Sequence, residues 1–205
     1  MRQALALALA VASALSPGLA CAQLTLLGSG TGSFGPASFV AGNPTWNGHG
    51  NLLRSNGNLT ATSQLNSQTA LGITQYSSGK KCFQVNLDTT GDWVGVGDWN
   101  TVSNSGLGDS TSTAYIVYSA DTGRVTFNSS TLATVATSTT SDSIRACYDL
   151  GTSSFAVYKN GTLLTTQSAS GMTNTNVVPI AILGATNNAI TIQNETVGPS
   201  GYSSF

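Results

Sequence analysis

Chemistry in this chain would have to come from very few side chains. There is one histidine, His49, and one glutamate, Glu195. A Ser-His-Asp device would have to use His49. That residue sits in Asn47-Gly48-His49-Gly50, and no Gly-x-Ser-x-Gly elbow presents a serine to it. Glycoside hydrolysis needs two carboxylates facing one cleft. No stretch that reads as a strand carries two acidic residues on one face: Asp88 and Asp92 flank a turn, and Asp98 starts a loop. A zinc site would have to be built from His49 and cysteines on separate strands, an unsuitable set. Asp98, Asn100, Asn104 and Asp109 share one stretch and offer oxygens, but their spacing follows no calcium-loop formula. Turn formation explains those side chains as well. No catalytic residue, metal or cofactor is therefore expected.

Binding is the chemistry left. Asp98-Trp99-Asn100 puts an aromatic ring beside hydrogen-bonding groups at the end of an apparent strand, which suits a peptide anchor or a sugar platform. Trp46 is a second candidate of the same kind. The competing role for both rings is to cover the rim of a β-structure.

Those residues need strands to hold them, and alternation supplies them. In the stretch 141–164, Ile144, Ala146, Tyr148 and Leu150 alternate with Arg145, Cys147 and Asp149, the period of a half-buried strand. Gly151-Thr152-Ser153 turns the chain, and Phe155 and Val157 alternate on the return. Asn160-Gly161 then gives a type I′ hairpin signal, since both central residues need positive φ. Leu163 and Leu164 begin another strand, and a polar excursion is expected from Thr165 to Asn176. Phe83, Val85 and Leu87 face one way in a second clear strand, with Cys82, Gln84 and Asn86 facing the other. Trp93-Val94-Gly95-Val96-Gly97 is a third, whose glycines suggest close approach of another backbone or a bend. Further strands are read at Ala70–Ile73, Ala114–Ser119, Arg124–Phe127, Val177–Gly184 and Ala189–Ile192. Asn51–Thr62 reads as a hairpin, and 128–140 as an edge strand or a loop. Pro179 implies an edge strand or a strand start. Ten or more short strands with turns between them define an all-β domain. Cys82 and Cys147 both lie on the less buried faces of their strands. They form a disulfide if those strands are neighbours at about 5.5–6 Å between Cα atoms, and otherwise stay as small packing thiols.

Several of these stretches together resemble the SPRY family. Asp142, Ile144, Asp149, Leu150, Phe155, Tyr158, Lys159, Asn160 and Gly161 fall on its D-x-I-x-x-x-x-D-L strand and F-x-x-Y-K-N-G hairpin. Ser78-Gly79-Lys80-Lys81-Cys82-Phe83-Gln84-Val85 is similar to its S-G-K-x-Y-F-E-V strand, with Gln84 where glutamate is usual. Val94-Gly95-Val96-Gly97, Val177–Gly184 and the Gly198-Pro199-Ser200-Gly201-Tyr202 stretch extend the likeness from about Asn51 to the C-terminus. The resemblance implies a concanavalin A-like bent β-sandwich (jelly roll) of two antiparallel sheets. It also implies partners held by loops at one end of the sandwich, with no catalytic pocket.

The remaining features concern location. Met1-Arg2-Gln3, the apolar run Ala4–Leu15, Pro17-Gly18 and Ala20-Cys21-Ala22 read as a secretory signal peptide over 1–22. The rival reading is a lipoprotein leader ending at Cys21. A Gly-rich arm, 23–50, would follow, with Phe34, Phe39, Val40 and Trp46 as apolar anchors, and then the sandwich over 51–205. Only 7% of the residues are charged and the net charge is −1, so nothing favours nucleic acid. No second apolar run is long enough to span a membrane as a helix. Asn58, Asn128, Asn160 and Asn194 begin Asn-x-Ser/Thr sequons, which matter only in a glycosylating host. Phe205 resembles the last residue of an outer-membrane barrel, but Gly198, Pro199 and Gly201 interrupt the alternation that a barrel strand needs. The expectation is a secreted, periplasmic or surface-exposed binding module for a protein or a glycan, capable of forming oligomers. A structural surface or phage-tail-type component is the alternative. A carbohydrate-active enzyme would have to depend on Glu195 or Asp98.

Overall fold

Period-two alternation becomes two stacked antiparallel sheets. The computed structural model describes residues 46–48, 52–65, 67–99, 114–172, 175–193 and 199–205, all of them in the unit Pro36–Phe205. Strands are numbered in chain order. One sheet runs, in spatial order, β1 (Trp46–Gly48), β4 (Gln68–Gly72), β13 (Val177–Leu183), β6 (Trp93–Asp98), β7 (Tyr115–Ser119), β8 (Arg124–Phe127) and β9 (Ser130–Thr134). The other runs β12 (Thr162–Ser168), β11 (Ser154–Lys159), β10 (Ser143–Asp149), β5 (Lys80–Leu87), β14 (Ala189–Gln193), β3 (Thr60–Ser63) and β2 (Leu52–Ser55). β15 (Ser203–Ser204) joins this second sheet by pairing parallel to β5. Between the sheets lies one apolar layer. Phe83, Val85 and Leu87 of β5 and Ile144, Ala146 and Tyr148 of β10 meet Val94 and Val96 of β6 and Ile116 and Tyr118 of β7, all fully buried. The bent-sandwich expectation is met.

The hairpin that anchors the sequence reading forms as expected. Asn160 and Gly161 have φ of 50° and 80°, the type I′ combination, and connect Lys159 to its partner Thr162. The turn is tied back to β10. The Ser143 N–H donates to Asn160 Oδ1 at 2.9 Å, and Asn160 Nδ2 donates to Asp142 Oδ1 at 2.6 Å. Lys159 Nζ sits 3.0 Å from Asp142 Oδ2. The family-like residues Asp142, Lys159 and Asn160 are thus one polar clasp across the hairpin base.

Two expectations need correction. β12 does not stop near Leu164 but continues to Ser168. It is the last strand of its sheet, and its register shifts opposite Val157/Tyr158, so its Thr and Gln side chains carry no clean alternation. Pro179 lies in the middle of β13, an interior strand between β4 and β6. The reason is local. Val177 exchanges hydrogen bonds of 2.8 and 2.9 Å with Tyr76. Two residues on, the Pro179 nitrogen faces the same side, in the gap before the β4 ladder begins at Ile180–Leu71. Gly72 fills that gap: a Cβ there would lie 2.6 Å from Pro179 Cδ. The missing N–H therefore interrupts no ladder bond.

Gly95 shows the close approach its spacing suggests. Its Cβ would collide with the Ile116 carbonyl oxygen in β7, a backbone atom with no room to move. Gly95→Ala is expected to cost about 3 kcal/mol or more by overpacking. Gly161→Ala, which meets open space and only an unfavourable φ, should cost about 1–2 kcal/mol. Urea denaturation midpoints test that order.

Candidate functional site

The expected site residues end in three different places. Trp46 is 0% exposed, its ring packed edge-on against Phe83 at 6.1 Å between centroids. A ring without a free face offers nothing to a ligand, so Trp46 is a core residue and the platform expectation for it is withdrawn. The arm of which it was the last anchor contributes β1 to the sheet edge beside β4; the rest of that arm, His49 and the leader lie outside the described residues. So do Asn100, Asn104, Asp109 and Glu195.

Trp99 is half-buried and stands where β6 ends. Its N–H donates to the Asn176 carbonyl at 2.8 Å, and the Asp98 N–H donates to the Ala114 carbonyl at 2.8 Å. Three chain segments are thereby pinned together at one end of the sandwich. Asp98 itself is 3% exposed and works within that junction. The Trp99 ring packs on an apolar cluster of Leu71, Tyr115, Val117, Val178 and Ile180, joined by Trp93 and Ile182. These residues share the face of the seven-stranded sheet opposite the main core, because Val94 and Val96 point inward and Trp93, Gly95 and Gly97 point outward. Between the two tryptophans β6 carries only glycine on this face, and the residues beside it, Leu71, Tyr115, Val117, Val178 and Ile180, are themselves buried, so the cluster is a second, smaller core. Alternation in the sequence contained this second cluster, but the run Val177–Leu183 is apolar on both faces and hides which one is the core.

The other outer face carries the cysteines. Cys82 and Cys147 are direct cross-strand partners in β5 and β10, joined by a disulfide with 4.1 Å between Cα atoms. The Cys82 carbonyl accepts from the Phe205 N–H on the opposite edge of β5. Cys82 therefore makes no backbone bond to Cys147, and such non-hydrogen-bonded pairs are the ones that approach most closely. Among the described residues no group of three or more His, Cys, Asp or Glu side chains converges to hold a metal.

Two buried carboxylates have environments of opposite effect. The Thr139 N–H, followed by the Lys159 ammonium and Asn160, holds Asp142 well below the ordinary carboxylate range. Burial pushes Asp92 up, partly offset by hydrogen bonds from Asn188, Gly184 and Thr89. Asp92 thereby links the turn after β5 to the β13–β14 connection, with Asn188 Nδ2 at 2.7 Å and the Gly184 N–H at 3.2 Å.

No protein-family model matches the sequence, and no curated protein does. Solved structures do match. The SPRY domain of human HERC1 is 18% identical and aligns with a TM-score of 0.61, over 72% of this chain and 94% of that one. The TRIM65 PSpry domain is 12% identical, with a TM-score of 0.59 over 75% of this chain and 93% of the other. Stonustoxin is 17% identical, TM-score 0.58, over 74% of this chain but 27% of its own length. The chain has a SPRY-like β-sandwich fold.

Asp142 stabilises the fold only while ionised, so its contribution is present above its ordinary pKa of 3.8 and is lost as pH falls below it. Asp142→Asn should therefore lose less stability than the wild type between about pH 4 and pH 2, read from urea midpoints across that window. Asp92 has the opposite sign: its raised pKa favours the folded state on acidification. Trp46→Ala should cost about 3–5 kcal/mol as a core deletion, measured in the same way.

Proposed function

We propose that the chain is a secreted, non-catalytic binding module that grips a protein or a glycan through the loops at the Trp99 end of the sandwich. The observation that carries this reading is the Trp99 junction. A half-buried tryptophan packs on a buried apolar cluster at the end of β6, with the backbone of Asp98-Trp99 pinned to the segments at Ala114 and Asn176. A ring fixed in advance loses little conformational entropy on binding, which is what makes tryptophan an effective anchor. In this reading Trp99 and Asn100 are the contact residues, and Asp98 supports them from beneath. The likeness to structures named as SPRY domains fits a loop-based binder. The leader-like residues 1–22 and the Cys82–Cys147 bond fit an oxidising compartment outside the cytoplasm.

One observation favours a second reading, an assembly role. Leu132 on β9 and Leu163 on β12 are 38% and 49% exposed, on the end strands of the two sheets, which touch each other along one side. Neither strand carries a charged residue to discourage pairing. Light scattering distinguishes the two. A binding module stays monomeric, while an assembly component forms a stable oligomer that Leu163→Lys dissolves.

Trp99→Ala should weaken capture of a partner, in a pull-down or on a glycan array, by about tenfold or more, with the melting temperature nearly unchanged. Capture at the wild-type level would place the binding surface elsewhere.

A further inference from the structure

Two sulfurs on the outer face of a sheet ought to meet solvent, yet Cys82 and Cys147 are both 0% exposed. They are covered by two tyrosines, Tyr158 and Tyr202. Tyr158 belongs to β11 and moves only with the sheet. Tyr202 belongs to the segment Pro199–Phe205, which is attached quite differently.

That segment is a strap laid along the β5 edge that β14 leaves vacant. β10 occupies one edge of β5 from Lys80 to Asn86, and β14 occupies the other only from Gln84 to Leu87. On the remainder, Ser203 and Ser204 pair with Lys81 and Cys82, and the Phe205 N–H donates to the Cys82 carbonyl at 3.0 Å. Lys81 Nζ donates to Ser203 Oγ at 3.0 Å and to the Ser204 carbonyl at 3.2 Å. Lys80 Nζ stands 5.7 Å from the Tyr202 ring centroid. Phe205 is the anchor: its ring enters the core, edge-on to Tyr76 at 5.5 Å and to Phe83 at 5.7 Å. A short parallel pairing with one buried ring is the kind of unit that opens locally while the long ladders stay closed.

We propose that the Pro199–Phe205 strap is a kinetic lock on the Cys82–Cys147 bond, so that a thiol reductant reaches the sulfurs when the strap lifts and without unfolding of the sandwich. The chemistry is thiol–disulfide exchange with a dithiol. Its thiolate attacks one cysteine sulfur and expels the other as a thiolate, leaving a mixed disulfide. The second thiol of the reductant then closes its own ring and releases the first cysteine. Two electrons pass from the dithiol to the protein, giving two cysteine thiols and one cyclic disulfide. The bond is thus a staple whose exposure is governed by the Pro199–Phe205 segment of the same chain.

The test is the rate at which free thiols appear in dithiothreitol under native conditions, for the wild type, Tyr202→Ala, Phe205→Ala and the core variant Val96→Ala. Val96 is fully buried and lies on β6, in the sheet opposite the one that carries the strap and the disulfide. The native wild type should react at least about tenfold more slowly than the urea-unfolded chain. Tyr202→Ala and Phe205→Ala should each react about fivefold or more faster than the wild type, Tyr202→Ala with its melting temperature nearly unchanged. Val96→Ala should lower the melting temperature and leave the native rate within about twofold of wild type. Three results would overturn the lock: a native wild type as reactive as the unfolded chain, a wild-type rate in Tyr202→Ala, or an acceleration in Val96→Ala as large as in the strap variants.

Discussion

The register of β5 is the constraint on which the rest of the structure depends. Both of its edges are occupied, one by β10 and the other by β14 and β15. Because side chains alternate, slipping β5 by one residue would exchange Phe83, Val85 and Leu87 for Cys82, Gln84 and Asn86 in the core. Fully burying a side chain such as phenylalanine or leucine is worth about 1.5–3 kcal/mol, so the slipped register loses several such increments at once. It would also part Cys82 from Cys147. The disulfide, the Phe205 hydrogen bond and the apolar layer therefore select the same alignment, which is the agreement between levels that makes a fold specific.

From that alignment the two outer faces acquire different characters. On the eight-stranded sheet the outward positions of β5 and β10 are Lys80, Cys82, Gln84 and Arg145, Cys147, Asp149, a polar surface crossed by one staple. On the seven-stranded sheet they form a second buried apolar cluster bordered by the half-buried Trp93 and Trp99. The half-buried Trp99 where β6 ends, rather than either sheet face, is therefore the proposed point of contact. The sandwich holds that end in place, because the Asp98 and Trp99 N–H groups donate to the carbonyls of Ala114 and Asn176 in two other segments.

Much of the fold is legible in the residues. The Asn160-Gly161 turn, the alternation in β5 and β10, and the glycines of β6 each carry a local physical signal, and each is found where that signal places it. What is not legible depends on distant partners. Pro179 sits in an interior strand only because Gly72, far away in sequence, leaves room beside it. Trp46 reads equally as an apolar anchor or a binding ring, and only its place on β1 against Phe83 decides for the anchor. β15 is too short to show a period, and its place on β5 depends on where β14 stops. β12 is concealed because an edge strand with two wet faces has no apolar side to reveal. At the candidate site, alternation places Trp93 and Trp99 on one face, but it does not show that the apolar run of β13 gives that face its buried cluster.

The pairing of β5 with β10 is best tested by mapping the disulfide in the unreduced protein. Trypsin cleaves after Lys81, Arg124, Arg145 and Lys159, so alkylation under denaturing conditions followed by digestion should yield residues 82–124 covalently joined to residues 146–159. Recovery of both peptides as separate alkylated species, with the protein folded beforehand, would contradict the register on which this account stands.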